Sequence, residues 1–154
     1  LSDRAFQRRN LPHLLLQARE ALMTRFRPFL NANGITEQQW RIIRSLYENG
    51  KMEPRTLSNV CQISGPSISG MLTRMEEQGM VERVRMESDQ RRMLVSLTPK
   101  SRALVRKIMP KIDLNYGLLE EEIGIEVMND VYRVIDQLLD RLNQLDKDAA
   151  AGIM

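Results

Sequence analysis

The chain has 154 residues, 42% of them hydrophobic and 28% charged, with a net charge of +3. That is enough for one compact core, too short for two comfortable domains, and outside the composition of a disordered chain. No apolar run approaches the ~18–20 residues that cross a bilayer. No basic-then-apolar leader opens the sequence, and a single cysteine, Cys61, cannot close a disulfide within the chain. A cytoplasmic protein with no membrane partner is the expectation.

The charge is unevenly spread. From Leu1 to Asn31 six arginines stand against one Asp and one Glu, whereas from Asp113 to Asp148 ten acids outnumber Arg133, Arg141 and Lys147. An acidic end leaves a basic remainder, which suits a partner that carries phosphates, although solvated helix faces also produce such imbalance.

Residues 11–30 read as a first helix. Leu11, Leu15, Ala18, Leu22 and Phe29 fall on one stripe and Leu16, Met23, Phe26 and Leu30 on the next, a width that implies burial on more than one side. Pro12 fits its first turn, Pro28 should bend or end it, and Asn33-Gly34 supplies the turn that follows. Thr36 and Gln39 have the spacing of a capping box before a second helix with Trp40, Ile43, Leu46 and Tyr47, which Gly50 terminates. Glu53-Pro54 then sets a cap and an N1 proline before a short helix with Leu57 and Val60. Ser64 caps a fourth helix that runs to about Gln78, with Gly79 behind it.

From Met80 the apolar period changes to two, through Glu82, Val84 and Met86; a polar tip, Glu87 to Arg92, separates this stretch from Met93–Leu97. Two strands around a charged tip predict a β-hairpin. Thr98-Pro99 opens a further helix through Leu104, Val105, Ile108 and Ile112, in which Pro110 and Gly117 predict a kink or break. After Gly124, Met128, Val131, Ile135, Leu138, Leu142 and Leu145 recur at alternating three- and four-residue steps, a heptad seam suited to a partner helix. The tail from Lys147 to Met154 has little to pack and should fray. The fold class is therefore α+β, mostly α.

Two short helices joined tightly by Gln62-Ile63-Ser64-Gly65-Pro66, then a hairpin, have the layout of a winged helix-turn-helix. The second of these helices exposes small residues at its start, Ser64, Pro66, Ser67, Ser69 and Gly70, and Arg74 lies two turns after Ser67 on the same face. Small residues let a helix backbone approach the floor of the major groove, where hydroxyls and guanidinium groups meet phosphates or base edges. Taken alone, serines at a helix start are more often caps. At the hairpin tip, Arg91 and Arg92 suit the negative potential of a narrow minor groove, and Asp89 is expected to orient Arg91 or Arg85. A charged hairpin tip alone is usually just solvated; the two features in succession point to duplex DNA.

Residues from about 36 to 102 resemble the MarR family of regulators. The resemblance is carried by the small-residue helix, then Arg-Met-Glu-Glu-Gln-Gly-Met-Val, Ser-Asp-Gln-Arg-Arg and Val-Ser-Leu-Thr, and most specifically by Asp89-Gln90-Arg91 followed by Leu97-Thr98. It departs at Lys100, where the family usually has glycine, which affects only a helix start. The resemblance implies a single domain over 1–154, with dimerisation helices at 11–30 and 99–146 and a DNA-binding region at 36–97. It also implies that Arg91 enters the minor groove and that the first and last helices of two chains interlock, with Leu11 and Leu15 joining the heptad seam. Upstream, the run from Leu14 to Pro28 with Thr36-Glu37-Gln38-Gln39-Trp40-Arg41 is similar to regulators of homoprotocatechuate (hydroxyphenylacetate) degradation. A small aromatic acid effector and a repressor of its catabolic operon are implied.

The residues themselves offer an effector site. Arg19 interrupts an apolar stripe between Leu16 and Met23, and a charge so placed needs a partner. Either Glu20, Glu48 or a C-terminal acid supplies it, or Arg19 receives the carboxylate of a bound aromatic acid, with Met23 and Trp40 lining the cavity and His13 contacting a hydroxyl. One His and one Cys are too few for a zinc site, and Glu120-Glu121-Glu122 points its carboxylates in different directions, so neither metal nor cofactor is expected. No phosphate loop, Ser-His-Asp set or paired acid–base constellation is present, which argues against an enzyme. Cys61 reads as a packed thiol, with oxidant sensing as the alternative. The competing functional class is a helical protein-interaction module, in which the heptad seam binds another protein.

Overall fold

The structure, a computed structural model, describes residues 6–152. Its elements in chain order are α1 (Leu11–Ala32), α2 (Glu37–Asn49), α3 (Pro54–Cys61), α4 (Gly65–Glu77), β1 (Val81–Arg85), β2 (Met93–Leu97), α5 (Pro99–Ile123) and α6 (Ile125–Ala150). Backbone contacts divide the chain into two compact units, one through Lys111 and one from Ile112.

In the first unit local chemistry sets the element ends. The Asn10 side chain caps α1 by accepting from the His13 amide, with Pro12 in the first turn. Thr36 and Gln39 form both halves of the capping box on α2, and Ser64 accepts from the Ser67 amide at the start of α4. Thr98 accepts from the Ser101 amide at 3.2 Å and donates its hydroxyl to the Gly79 carbonyl at 2.7 Å, so one side chain caps α5 and fixes the turn after α4. Ile42, Ile43, Leu46, Leu57, Ile68, Leu72, Met75 and Val95 are all buried, which packs α2, α3, α4 and the hairpin around one core.

The hairpin pairs Val81 with Leu97 through Arg85 with Met93, antiparallel. Met52, just ahead of α3, adds a bridge on the far side of β2: its amide donates to the Val95 carbonyl at 3.1 Å and its carbonyl accepts from Val95 at 2.7 Å.

Several expectations need correction. Of the kink or break expected at Pro110 and Gly117, the break does not occur: α5 runs through both, and the helix ends at Gly124, whose φ of +100° lies outside the right-handed helical range. A proline removes one intrahelical bond, and burial of Val105, Ile108, Ile112 and Leu119 along the same helix outweighs that loss. Likewise α1 passes Pro28 and reaches Ala32, because Phe26 and Leu30 are buried on either side of it. Residues 147–150 of the expected frayed tail belong to α6, while 153 and 154 lie outside the described residues.

In the second unit, α6 is one uninterrupted helix. Val131, Ile135, Leu142 and Leu145 of its seam are exposed, as are Val127, Val134 and Leu139 beside them, and only Met128 is buried.

Candidate nucleic-acid interface

The turn before α4 is held by reciprocal bonds. The Ile63 amide donates to the Ser58 carbonyl at 3.1 Å and the Ser58 hydroxyl donates back to the Ile63 carbonyl. Gln62 takes a left-handed φ of +53°, the one non-glycine with positive φ among the described residues. Its side-chain amide donates to the Asn59 carbonyl at 2.7 Å, which pins that conformation. Across the turn, Arg41 of α2 donates from Nη1 to the carbonyl of Cys61, the last residue of α3, at 2.7 Å. Burial, and after it the charge of Arg19, hold the Arg41 guanidinium below its ordinary pKa. Cys61 is buried, with its thiol against the Arg41 carbonyl and the Ser45 hydroxyl.

From this turn α4 emerges with two unlike faces. Ile68, Met71, Leu72 and Met75 are buried, whereas Pro66, Ser67, Ser69, Thr73 and Arg74 are exposed and Gly70 is half-buried. Ser64 and Ser67 bond to each other at 2.8 Å, so Ser64 is committed to capping. A Cβ built at Gly70 meets only the end of Arg74, at 3.6 Å, so nothing within the chain demands glycine there. Beside α4, a cleft of about 280 Å³ is lined by Arg55 and Ser58 of α3, Ser69 of α4 and Arg83 of β1. Arg83 donates to the Thr73 hydroxyl at 3.0 Å, tying hairpin to helix. Sequence reasoning missed Arg55 and Arg83; the alternation of β1, which puts Arg83 on the side of buried Val81, was the available signal.

At the hairpin tip the arginines divide. Arg85 donates to the Gln90 carbonyl at 2.6 Å, and Asp89 accepts from the backbone amide of Arg91 at 3.0 Å, so Asp89 shapes the turn rather than orienting either guanidinium. Arg92 is not free: its Nε forms an ion pair with Glu53 at the start of α3. Glu53 occupies the N-cap position, yet its side chain caps nothing. The bond from Arg92 holds the Glu53 carboxyl below its ordinary pKa, and the same bond raises that of Arg92. The Arg91 guanidinium has no partner among the described residues and stands exposed.

The proposed effector residues are more scattered. His13 is exposed at the start of α1, and Met23 and Trp40 are half-buried. Arg19 pairs with Glu20 at 3.1 Å, as one of the expected partners, and with Glu37, which was not foreseen; Glu48 instead pairs with Arg44. Arg27 bonds both Glu20, at 3.1 Å, and Glu37, at 2.9 Å, completing a four-residue cluster between α1 and the first turn of α2. No group of three or more metal-ligating side chains occurs among the described residues, and no helix there is long and apolar enough to cross a membrane.

Two helices at a tight turn, the second exposed along one face and followed by a hairpin with an outstretched arginine, define a winged helix-turn-helix protein. Comparison with known proteins places it more narrowly. A profile of the MarR family matches residues 35–93. The HTH-type transcriptional regulator FarR of Neisseria gonorrhoeae is 45% identical over 132 residues, covering 84% of this chain and 90% of FarR. The homoprotocatechuate degradative operon repressor of Escherichia coli is 37% identical over 134 residues, covering 87% and 90%. Among solved structures, NadR in complex with 4-hydroxyphenylacetate superposes with a TM-score of 0.76 at 42% identity, over 86% of this chain and 94% of NadR. The chain belongs to the MarR family and is a transcriptional regulator, not an enzyme.

Proposed function

We propose that this regulator binds a pseudo-palindromic operator in the cytoplasm as a homodimer, represses an aromatic-acid catabolic operon, and releases it on binding a small aromatic acid such as homoprotocatechuate or hydroxyphenylacetate. The observation that carries the DNA part is the combination on one unit of the exposed face of α4, from Ser67 to Arg74, with the unpartnered Arg91 guanidinium of the wing. The helix suits a major groove and the arginine an adjacent minor groove.

Dimerisation is supported by the apolar side chains left exposed at Leu11 and Leu15 of α1 and along α6 from Val131 to Leu145. A heptad seam of that length in water calls for a second helix, and a two-fold partner presents two reading heads to half-sites about one helical turn (~10 bp) apart. The effector reading is supported by NadR, whose solved complex holds 4-hydroxyphenylacetate, and by the arginine pair Arg19 and Arg27, which already holds carboxylates. A ligand acts here only by binding one spacing of the reading heads better than the other. The test is binding to a labelled duplex from upstream of the chain's own gene, with and without 4-hydroxyphenylacetate and homoprotocatechuate. Weakening by either acid supports the whole reading; binding indifferent to a range of aromatic acids removes the effector and keeps the DNA.

A further inference from the structure

Of the wing's basic side chains, Arg92 is spent within the protein. We infer that Glu53 and Arg92 form a clasp that fixes the inclination of the wing against α3, making both positioning residues and leaving Arg91 as the guanidinium offered to DNA. This rests on the proposed DNA-binding function and assigns a division of labour within it.

Three observations converge on the clasp. The backbone bridge between Met52 and Val95 joins the segment before α3 to β2 by two hydrogen bonds, and it stops short of the tip. The ion pair from Glu53, the next residue, to Arg92 adds a further attachment at the base of the tip. There the Arg92 amide also donates to the Asp89 carbonyl and its carbonyl accepts from Met86, each at 3.0 Å. The Arg83–Thr73 bond ties β1 to α4 and the Met52–Val95 bridge ties β2 to the segment before α3; the ion pair lies beyond both, towards the tip, and adds a restraint on tilt that neither supplies. Finally, the choice of residue is informative. Glutamate is not among the favoured N-cap side chains, and Glu53 makes no cap bond, so its carboxylate is explained by Arg92 and not by its own helix.

The sign of the Glu53 effect separates this role from its rivals. An isolated carboxylate beside a DNA-binding surface repels phosphates, so its removal should strengthen binding; a clasp predicts the opposite. The experiment compares E53Q, R92Q, the double variant and R91Q on the upstream duplex across a salt series, with amide hydrogen exchange of Met86, Arg91 and Arg92 in the free protein. The clasp predicts that E53Q and R92Q each weaken binding by about 3- to 30-fold and that the double variant is no worse than either. It also predicts an unchanged salt slope for both and faster exchange at the tip. R92Q lowering the slope by about 0.9, as loss of a phosphate contact does, with E53Q neutral or strengthening, would overturn it. Unchanged exchange beside intact wild-type binding would overturn the clasp alone. Absence of wild-type binding to any duplex would overturn the DNA reading, and the positioning role with it.

Discussion

The guanidinium of Arg41 reaches from the second helix to the carbonyl of Cys61, 2.7 Å away, and so closes the C-terminal end of α3 immediately before the turn into α4. The last carbonyls of a helix have no intrahelical partner, and here a side chain from a neighbouring helix supplies one. The placement of α4 on the domain therefore depends on α2 as well as on the turn.

Replacing Arg41 with methionine keeps most of the volume and removes the bond. We expect a loss of about 1–2 kcal/mol in stability, typical of a part-buried carbonyl left without its charged donor, read by urea unfolding with an unchanged m-value. A variant as stable as the wild type would show that water serves the Cys61 carbonyl equally well.

Gly70 gives a prediction in which stability and function move apart. Space for a methyl group exists there within the chain, and alanine is favoured over glycine inside a helix by about 0.5–1 kcal/mol. G70A should therefore raise the unfolding midpoint while weakening operator binding, because the added methyl stands between the α4 backbone and the groove floor. A variant that gains stability and binds DNA unchanged would place another part of the surface against the duplex.

Much of this was legible in the sequence because it is local. The capping box of Thr36 and Gln39, the Ser64 cap, and the change of period after Gly79 each act over a few residues, and the elements fall where those signals put them. What escaped was decided by partners far along the chain. Continuity of α5 through Pro110 depends on burial that no local rule weighs. The pairing of Arg92 with Glu53 spans 39 positions, so two adjacent arginines looked equivalent at the tip although only one is free. The capture of Arg19 by Glu37 was hidden in the same way, since Glu37 also opens the second helix.

Glu37 is the most enclosed member of its cluster, with a side chain 16% exposed between Arg19 and Arg27. If Arg19 receives an aromatic carboxylate, Glu37 is its internal competitor. E37Q should then tighten binding of 4-hydroxyphenylacetate by about 2- to 5-fold, the scale of a part-exposed ion pair, and R19A should weaken it, both by calorimetric titration. Weaker binding in E37Q would assign Glu37 to the support of the site.

Exposed apolar side chains on α6 make a prediction about assembly. The double variant I135K/L142K places charges on the heptad seam, where unpaired charge at a core position is strongly unfavourable. Sedimentation should shift from the mass of two chains to that of one, with loss of operator binding. A single-chain mass for the wild type would leave the seam to a different protein.

The Glu53–Arg92 pair also has a pH signature. The folded-state pKa of Glu53 lies below its ordinary value of 4.5, so the pair contributes fully above that value and its contribution is lost as pH falls through the lower, folded one. Asp89 also acts on Arg92, so the control is E53Q. Relative to that variant, slow amide exchange at the wing tip should be present near neutrality, begin to diminish below about pH 4.5, and be lost as pH falls through the lower, folded value. Equal protection in the two proteins at neutral pH would contradict it.

The most direct test of the central claim is equilibrium binding to the upstream duplex over a range of salt, with and without 4-hydroxyphenylacetate. A phosphate-reading dimer predicts a linear fall of log affinity with log salt, with a slope of about −0.9 for each phosphate neutralised, and weaker binding throughout when the acid is present. Specific binding that is absent at every salt concentration, with the protein folded and dimeric, would contradict the account.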